Sequence, residues 1–412
     1  MFAMVQSKTI KVLVVDDSGF FLRRVAEIIN ADPRLEVIGT ASNGKEGVEK
    51  ALALKPDVIT MDYEMPVMDG VTAVRMIMSQ HPIPVLMFSS LTYEGARITF
   101  DALEAGAVDF LAKQFDAIAA SQATLHKTLT DRIVSVAASN QKRVVSAAPS
   151  NKPLVASSKT VGSPSDKAAS PSHISSTTST STSTSNRASE RASVKASDAS
   201  ATSRLSAHEQ SDQLKALGPG KSLHHVSVVV IGTSTGGPAA LQTIFKQLPG
   251  DFSKPIVIVQ HMPATFTKAF AERLDRLSPL TVKEAEEGDR LQAGHVYVAP
   301  GGMQLMIDKR AGGSIHIHES DARISYRPSV DIALASAAKH FGRNALAIIL
   351  TGMGSDGKEG AKLLKQTGGA VWAQDEASCV IYGMPMAVID AGIVSKVLPI
   401  SDVASNIYHE AN

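Results

Sequence analysis

At 412 residues the chain exceeds one ordinary compact core, and a domain length of roughly 150 residues points to two or three units. Its 41 Lys plus Arg against 40 Asp plus Glu leave a formal charge of +1, which provides no basic excess to hold nucleic acid phosphates. A single cysteine, Cys379, excludes an intramolecular disulfide framework. The start lacks a charged segment followed by a long apolar one, and no apolar run reaches the roughly 18 residues that cross a bilayer, so a cytoplasmic protein without membrane insertion is expected.

The first third alternates short apolar runs with amphipathic stretches. Strands are expected at Lys11 to Val15, Glu36 to Thr40, Asp57 to Met61, Val85 to Phe88 and Ala107 to Leu111. Between the first two, Phe21, Leu22, Val25, Ile28 and Ile29 share one helical face, with Ser18 placed to cap it. Nearly all-apolar strands separated by helices predict a parallel sheet covered on both faces.

Asp16 and Asp17 end the first strand, Asp62 the third, Ser89 and Ser90 the fourth, and Lys113 follows the fifth, so all share one sheet edge. Clustered carboxylates repel one another unless cations neutralise them, and a divalent ion together with Lys113 would do so. An aspartate so placed can accept a phosphoryl group. The stretches Val14-Val15-Asp16-Asp17-Ser18, Met61-Asp62-Tyr63-Glu64-Met65-Pro66 and Phe110-Leu111-Ala112-Lys113 resemble the response-regulator receiver family, a (βα)5 flavodoxin-like fold. That resemblance implies Asp62 as phosphoacceptor and Mg²⁺ on Asp17, Asp62 and the Glu64 backbone carbonyl, with Asp16 in support. It further implies Ser89 and Lys113 as phosphoryl contacts and Phe110 as an aromatic switch. Gln114 departs from the family, where proline usually follows the lysine.

Apolar periodicity then vanishes; in Pro171 to Ser185, 12 of 15 residues are Ser or Thr. Such a segment cannot offset its ordering entropy and reads as a flexible tether. The expected division is a first domain over 8–130, a linker over 131–223 and a second domain over 224–412.

The second domain repeats the α/β pattern, with strands expected at Ser227 to Ile231, Pro255 to Gln260, His295 to Ala299, Ala345 to Leu350 and Ala370 to Ala373. Gly232-Thr233-Ser234-Thr235-Gly236-Gly237 lies between a strand and a helical pattern, so the glycines allow a sharp turn that projects Ser234 beside a helix N-terminus. The glycine spacing fits neither a dinucleotide fingerprint nor a P-loop. His261 follows the next strand and Asp356 a later one, which sets a nucleophile, a base and an orienting carboxylate along one edge. Asp375 is a rival carboxylate. His316 and His318 share a strand face but lack further metal ligands at suitable spacing.

These segments, with Gln260-His261-Met262-Pro263, Tyr297-Val298-Ala299-Pro300-Gly301-Gly302 and Leu350-Thr351-Gly352-Met353-Gly354-Ser355-Asp356-Gly357, resemble the chemotaxis protein-glutamate methylesterase family (CheB type). The resemblance implies a doubly wound, mostly parallel α/β methylesterase domain with Ser234, His261 and Asp356 as triad and Thr235 and Met353 near the oxyanion, with no cofactor for the esterase. It also implies methyl-accepting chemotaxis receptors as substrate, glutamine deamidation as a second activity, and the chemotaxis histidine kinase as phosphodonor. An alternative reading is a phosphorylation-switched receptor-binding adaptor without catalysis.

Overall fold

A computed structural model describes residues 8–113, 122–146, 223–321 and 323–412. In the N-terminal part, β1 (Ile10–Val15), α1 (Gly19–Asn30), β2 (Leu35–Ala41), α2 (Gly44–Leu54), β3 (Val58–Asp62), α3 (Gly70–Gln80), β4 (Val85–Ser89), α4 (Tyr93–Glu104), β5 (Asp109–Ala112) and α5 (Gln122–Ser146) alternate without exception. The five strands are all parallel in the order β2-β1-β3-β4-β5. This is the flavodoxin-like winding, whose direction reverses between β1 and β3.

Period-two alternation divides the strand residues between two layers. Val12, Val14, Leu86 and Phe88 pack with α1 and α5, while Leu13, Val15, Ile59, Met61 and Met87 pack with α2, α3 and α4. The predicted cap of α1 is present: Ser18 Oγ accepts from the Phe21 amide at 3.3 Å. The expected boundary at residue 130 needs correction. Helix α5 runs on to Ser146, and Leu129, Ile133, Val136 and Ala137, spaced as one helical stripe, are buried under the sheet. The Ser/Thr-rich stretch and Gln114 lie outside the described residues.

The C-terminal part comprises β6 (Val228–Thr233), α6 (Gly237–Gln247), β7 (Ile256–Gln260), α7 (Ala264–Leu277), β8 (Thr281–Glu284), β9 (His295–Val298), the hairpin β10 (Met303–Asp308) and β11 (Ser314–Glu319), α8 (Val330–His340), β12 (Ala345–Ile349), α9 (Lys358–Gln366), β13 (Ala370–Gln374), α10 (Met384–Asp390), β14 (Lys396–Leu398) and α11 (Ile400–Ala411). Seven parallel strands follow the order β14-β13-β12-β6-β7-β9-β8. Five were expected from sequence; β8 and β14 extend the sheet at its two edges.

Here too alternate residues face opposite layers. Val229, Ile231, Ile256 and Ile258 meet α6, α7 and α11, whereas Val228, Val230, Val257 and Val259 meet α8, α9, α10 and the hairpin. The winding reverses between β6 and β12, so a crevice opens at their carboxyl ends, where such sheets bind ligands. The layer holding α7 is continuous with the layer of the first domain holding α4: Phe266 stacks on Phe110 with centroids 4.7 Å apart, and Phe270 lies 5.2 Å from Phe100.

Candidate active site

Three strand ends converge at the second reversal point. The Ser234 amide donates to the Thr351 carbonyl at 3.1 Å and the His261 amide to the Thr233 carbonyl at 3.2 Å, which ties the ends of β12, β6 and β7 together. Gly236, at φ 78°, makes the turn into α6; a side chain there would be strained and would also strike Val380. Gly352 passes so close that a Cβ would lie 2.9 Å from the Ser234 Cβ. Ser234 is therefore held on a tight turn three residues before α6, where the helix N-terminus favours negative charge.

His261 Nε2 and Asp356 Oδ2 are 2.7 Å apart. Asp356 is 5% exposed and accepts three further bonds from the start of α8: the Ser329 hydroxyl at 2.9 Å, the Val330 amide at 2.7 Å and the Asp331 amide at 3.0 Å. In return, Asp331 Oδ1 accepts from the Gly360 amide of α9 at 2.7 Å. Each helix start thus receives a carboxylate from the other segment, and the clasp fixes Asp356. Burial pushes its pKa up, but His261 and the backbone donors outweigh burial and hold it below the ordinary carboxylate range. Asp356 is accordingly ionised at neutral pH and accepts the Nε2 proton, which leaves the lone pair on Nδ1. That nitrogen is buried without a hydrogen-bond partner. The far face of the imidazole is set by Tyr326, stacked at 4.2 Å and 10°.

Ser234 and His261 line a cavity of about 220 Å³ together with Gln260 and Pro263. Its opposite wall belongs to the first domain: Asp109 to Ala112 of β5 and the side chains of Thr128 and Arg132 of α5. Arg132 is paired with Asp109. Of the two residues expected near the oxyanion, Thr235 is buried beside the nucleophile, its carbonyl accepting from Thr351 Oγ1 at 2.9 Å. Met353 lies in the loop beyond β12, its sulfur 3.9 Å from the Ser135 hydroxyl of α5. The rival carboxylate, Asp375, turns into its own loop, where Oδ1 accepts from the Ser378 amide and hydroxyl. His316 is bonded through its two nitrogens to Glu287 and Asp308.

Ser329, Tyr326 and Gln260 were not given roles from sequence. Ser329 lies 27 residues before its partner Asp356, and Tyr326 lies far along the chain from His261, on which it stacks, with no local motif to mark either. Gln260 sits in the quoted Gln-His-Met-Pro motif, and its amide donates to the carbonyls of both Ser234 and His261, at 3.0 and 3.1 Å.

At the other reversal point, carboxylate oxygens of Asp16, Asp17 and Asp62 lie within 4.8 Å of one another, with Asp16 and Asp62 buried and Asp17 exposed. Lys113 Nζ lies 2.7 Å from Asp16 and 2.9 Å from Asp62, over the face of the Phe21 ring. Burial raises the Asp62 pKa to about 6 despite Lys113, with the charge of Asp16 contributing in the same direction. Three carboxylates sharing one cation suit a hard divalent ion bound through oxygen. Glu64 lies in the loop two residues beyond Asp62. The Ser89 hydroxyl is turned toward α4, bonded to Thr99 Oγ1 and the Gly95 carbonyl, and Tyr63 Oη bonds Ser90 Oγ at 2.8 Å. Phe110 is buried in the stack with Phe266.

Among the described residues no helix is long and apolar enough to cross a membrane. The receiver-domain family model matches residues 12–125 and the CheB methylesterase model residues 229–407. The protein-glutamate methylesterase/protein-glutamine glutaminase 3 of Pseudomonas syringae pv. syringae is 51% identical over 97% of this chain and 98% of its own length. The protein of that name numbered 1 in Pseudomonas aeruginosa is likewise 51% identical over the same shares. The crystal structure of the Thermotoga maritima CheB methylesterase catalytic domain is 45% identical and covers 44% of this chain and 97% of its own, with a TM-score of 0.43. Similarity at this level over nearly the whole length, with both domains matched in order, shows that the chain belongs to the receiver-linked CheB methylesterase family of protein-glutamate methylesterases/protein-glutamine glutaminases.

Proposed function

We propose that the chain is a cytoplasmic, phosphorylation-activated serine hydrolase that removes γ-methyl esters from glutamates of chemotaxis receptors, and deamidates receptor glutamines at the same site. The observation that carries the reading is the Asp356–His261 bond, which leaves Nδ1 unpaired, in a cavity that His261 lines together with Ser234. In this reading Ser234 Oγ attacks the ester carbonyl while Nδ1 takes its proton. The imidazolium so formed is stabilised by Asp356, and the start of α6, with Thr235 and Met353 close by, faces the developing oxyanion. Nδ1 then returns the proton to the methoxy group, which leaves as methanol. Water attacks the acyl-enzyme by the same proton route and frees the glutamate carboxylate and Ser234. For a glutamine substrate the leaving group is ammonia.

Regulation is assigned to the first domain. Asp62 is the phosphoacceptor for the chemotaxis histidine kinase, and Asp17, Asp62 and the Glu64 carbonyl would hold Mg²⁺, with Asp16 and Lys113 balancing the remaining charge. The ion, when bound, neutralises the oxygens of the transferring phosphoryl group. Because β5 and α5 wall the cavity opposite Ser234 and His261, the resting receiver obstructs a protein substrate. Phosphorylation, sensed through Ser89, Lys113 and Phe110, would relieve that obstruction.

The test is methanol release from methyl-esterified receptor, with and without a small-molecule phosphodonor. Wild type is expected to respond to the donor, Asp62→Asn to retain only the unstimulated rate, and Ser234→Ala to lose at least about 10³-fold. Equal rates for wild type and Ser234→Ala would remove the serine from the reaction.

A further inference from the structure

Helix α7 begins three residues after His261 and carries Phe266, Phe270 and Arg273 at i, i+4 and i+7, one stripe on its surface. In the resting chain this stripe is covered by α4 of the receiver. Phe100 lies 6.2 Å from Phe266 and 5.2 Å from Phe270 by ring centroid. Arg273 Nη1 donates to Asp101 Oδ1 at 2.6 Å, Nη2 donates to Glu104, and Lys246 of α6 approaches Glu104 at 3.7 Å. The pairing is asymmetric. The arginine side chain is 10% exposed with the receiver in place, whereas both acids are 53% exposed.

In the resting chain the guanidinium is met by two carboxylates of α4 in place of water. When the receiver withdraws, two phenylalanines and an arginine lose their apolar cover and their carboxylates on the helix that begins three residues after His261. The partner that satisfies this face must present an apolar side chain and carboxylates on one helical surface, which is what Phe100, Asp101 and Glu104 provide at i, i+1 and i+4.

We propose that α4 acts as a pseudosubstrate, occupying the groove in which an acidic amphipathic helical segment of the substrate protein docks. Arg273 and Lys246 take carboxylates of that segment, and Phe266 and Phe270 take its apolar side. The inference rests on the protein-glutamate reading above, and it adds where the substrate lies and what it competes with. A segment whose glutamates are esterified supplies the required acids from its unmodified neighbours, so binding should strengthen as esters are removed.

The experiment measures methanol release by the full chain against concentration of a methyl-esterified cytoplasmic receptor fragment. Asp101→Asn/Glu104→Gln is expected to raise the unstimulated rate several-fold and to leave KM with phosphodonor unchanged. Arg273→Met is expected to raise the stimulated KM roughly tenfold, with kcat and turnover of a small synthetic ester within about twofold of wild type. A synthetic peptide of residues 92–105 should inhibit stimulated wild type competitively, and the same peptide with both acids neutralised should not. A wild-type KM in stimulated Arg273→Met would reduce the α4 contact to a domain clasp and overturn the proposal. Should that variant fail to fold, an inert acidic peptide would overturn it equally. Absence of methanol from stimulated wild type would instead overturn the methylesterase reading itself.

Discussion

Asp62 and Asp356 occupy corresponding places in two unlike domains. Each follows a parallel strand at the point where the sheet reverses its winding, and each is nearly inaccessible, at 3% and 5% exposure. Burial pushes both acids toward the neutral form, yet one rises to about 6 and the other falls below its ordinary range. The difference lies in the donors. Asp62 shares a single lysine with Asp16, whereas Asp356 takes His261, a hydroxyl and two amides at the start of a helix. In the proposed mechanism the acid that would react with an incoming group is left with bonding capacity to spare, and the acid that would only orient a base is fully satisfied.

The comparison is broken most severely by removing the satisfied charge. Asp356→Asn should lower kcat for methanol release on the order of 10³- to 10⁴-fold, since the amide can neither stabilise the imidazolium nor enforce the same tautomer. A loss under tenfold would mean that another group holds His261. The second largest effect is expected at Asp62. Its folded pKa is raised, so the stability gained by its neutral form is complete below pH 4 and is lost as pH rises through about 6. Above pH 6, in buffer without Mg²⁺, wild type carries the cost of a buried charge that Asp62→Asn lacks. Urea melts should show the variant more stable by about 2 kcal/mol at pH 7.5 and nearly matched at pH 4. Adding Mg²⁺ should stabilise wild type and close the gap at pH 7.5. A gap independent of pH would point to packing instead.

A milder change trims one donor from the satisfied acid. Ser329→Ala removes the hydroxyl bonded to Asp356 Oδ1 and should cost about tenfold in kcat. Because the lost donor favoured the ionised form, the Asp356 pKa rises, and activity should begin to fall at a higher pH on the acid side of the profile. A reduced rate with an unmoved acid limb would assign Ser329 to packing alone.

What was legible in the sequence was what local pattern encodes. Strands such as Val12 to Val15 and Val257 to Val259 are buried on both faces and therefore read as unbroken apolar runs. The edge strands were not legible: Thr281–Glu284 alternates with charged residues and Lys396–Leu398 is three residues long. The first domain's boundary was read at residue 130, inside α5, because Ile133, Val136 and Ala137 are diluted by serines and alanines that resemble the tether's composition. Ser234, His261 and Asp356 announce themselves because the first two directly follow readable strands and the third lies in the glycine-rich loop after another. Ser329 and Tyr326 do not, since their contacts exist only once the segment before α8 meets Asp356 in one case and the end of β7 in the other. The pairing of Arg273 with α4 is hidden for the same reason, as its partners are 169 and 172 residues away.

The smallest expected effect concerns the unsatisfied acid and its neighbour. Asp16 is fully buried, shares Lys113 with Asp62, and its negative charge adds to the forces that raise the Asp62 pKa. Asp16→Asn removes that repulsion and frees Lys113 to pair with Asp62 alone. Both consequences favour the carboxylate, so the Asp62 midpoint should fall, by less than about one pH unit, in a carbon-detected titration of the aspartate carboxyls without Mg²⁺. The same substitution made in the presence of Mg²⁺ should weaken ion binding, because one of three converging oxygen donors has lost its charge. If the Asp62 midpoint instead rises, Asp16 acts chiefly by holding Lys113 in place, and the repulsion between the two acids is not what keeps Asp62 poised.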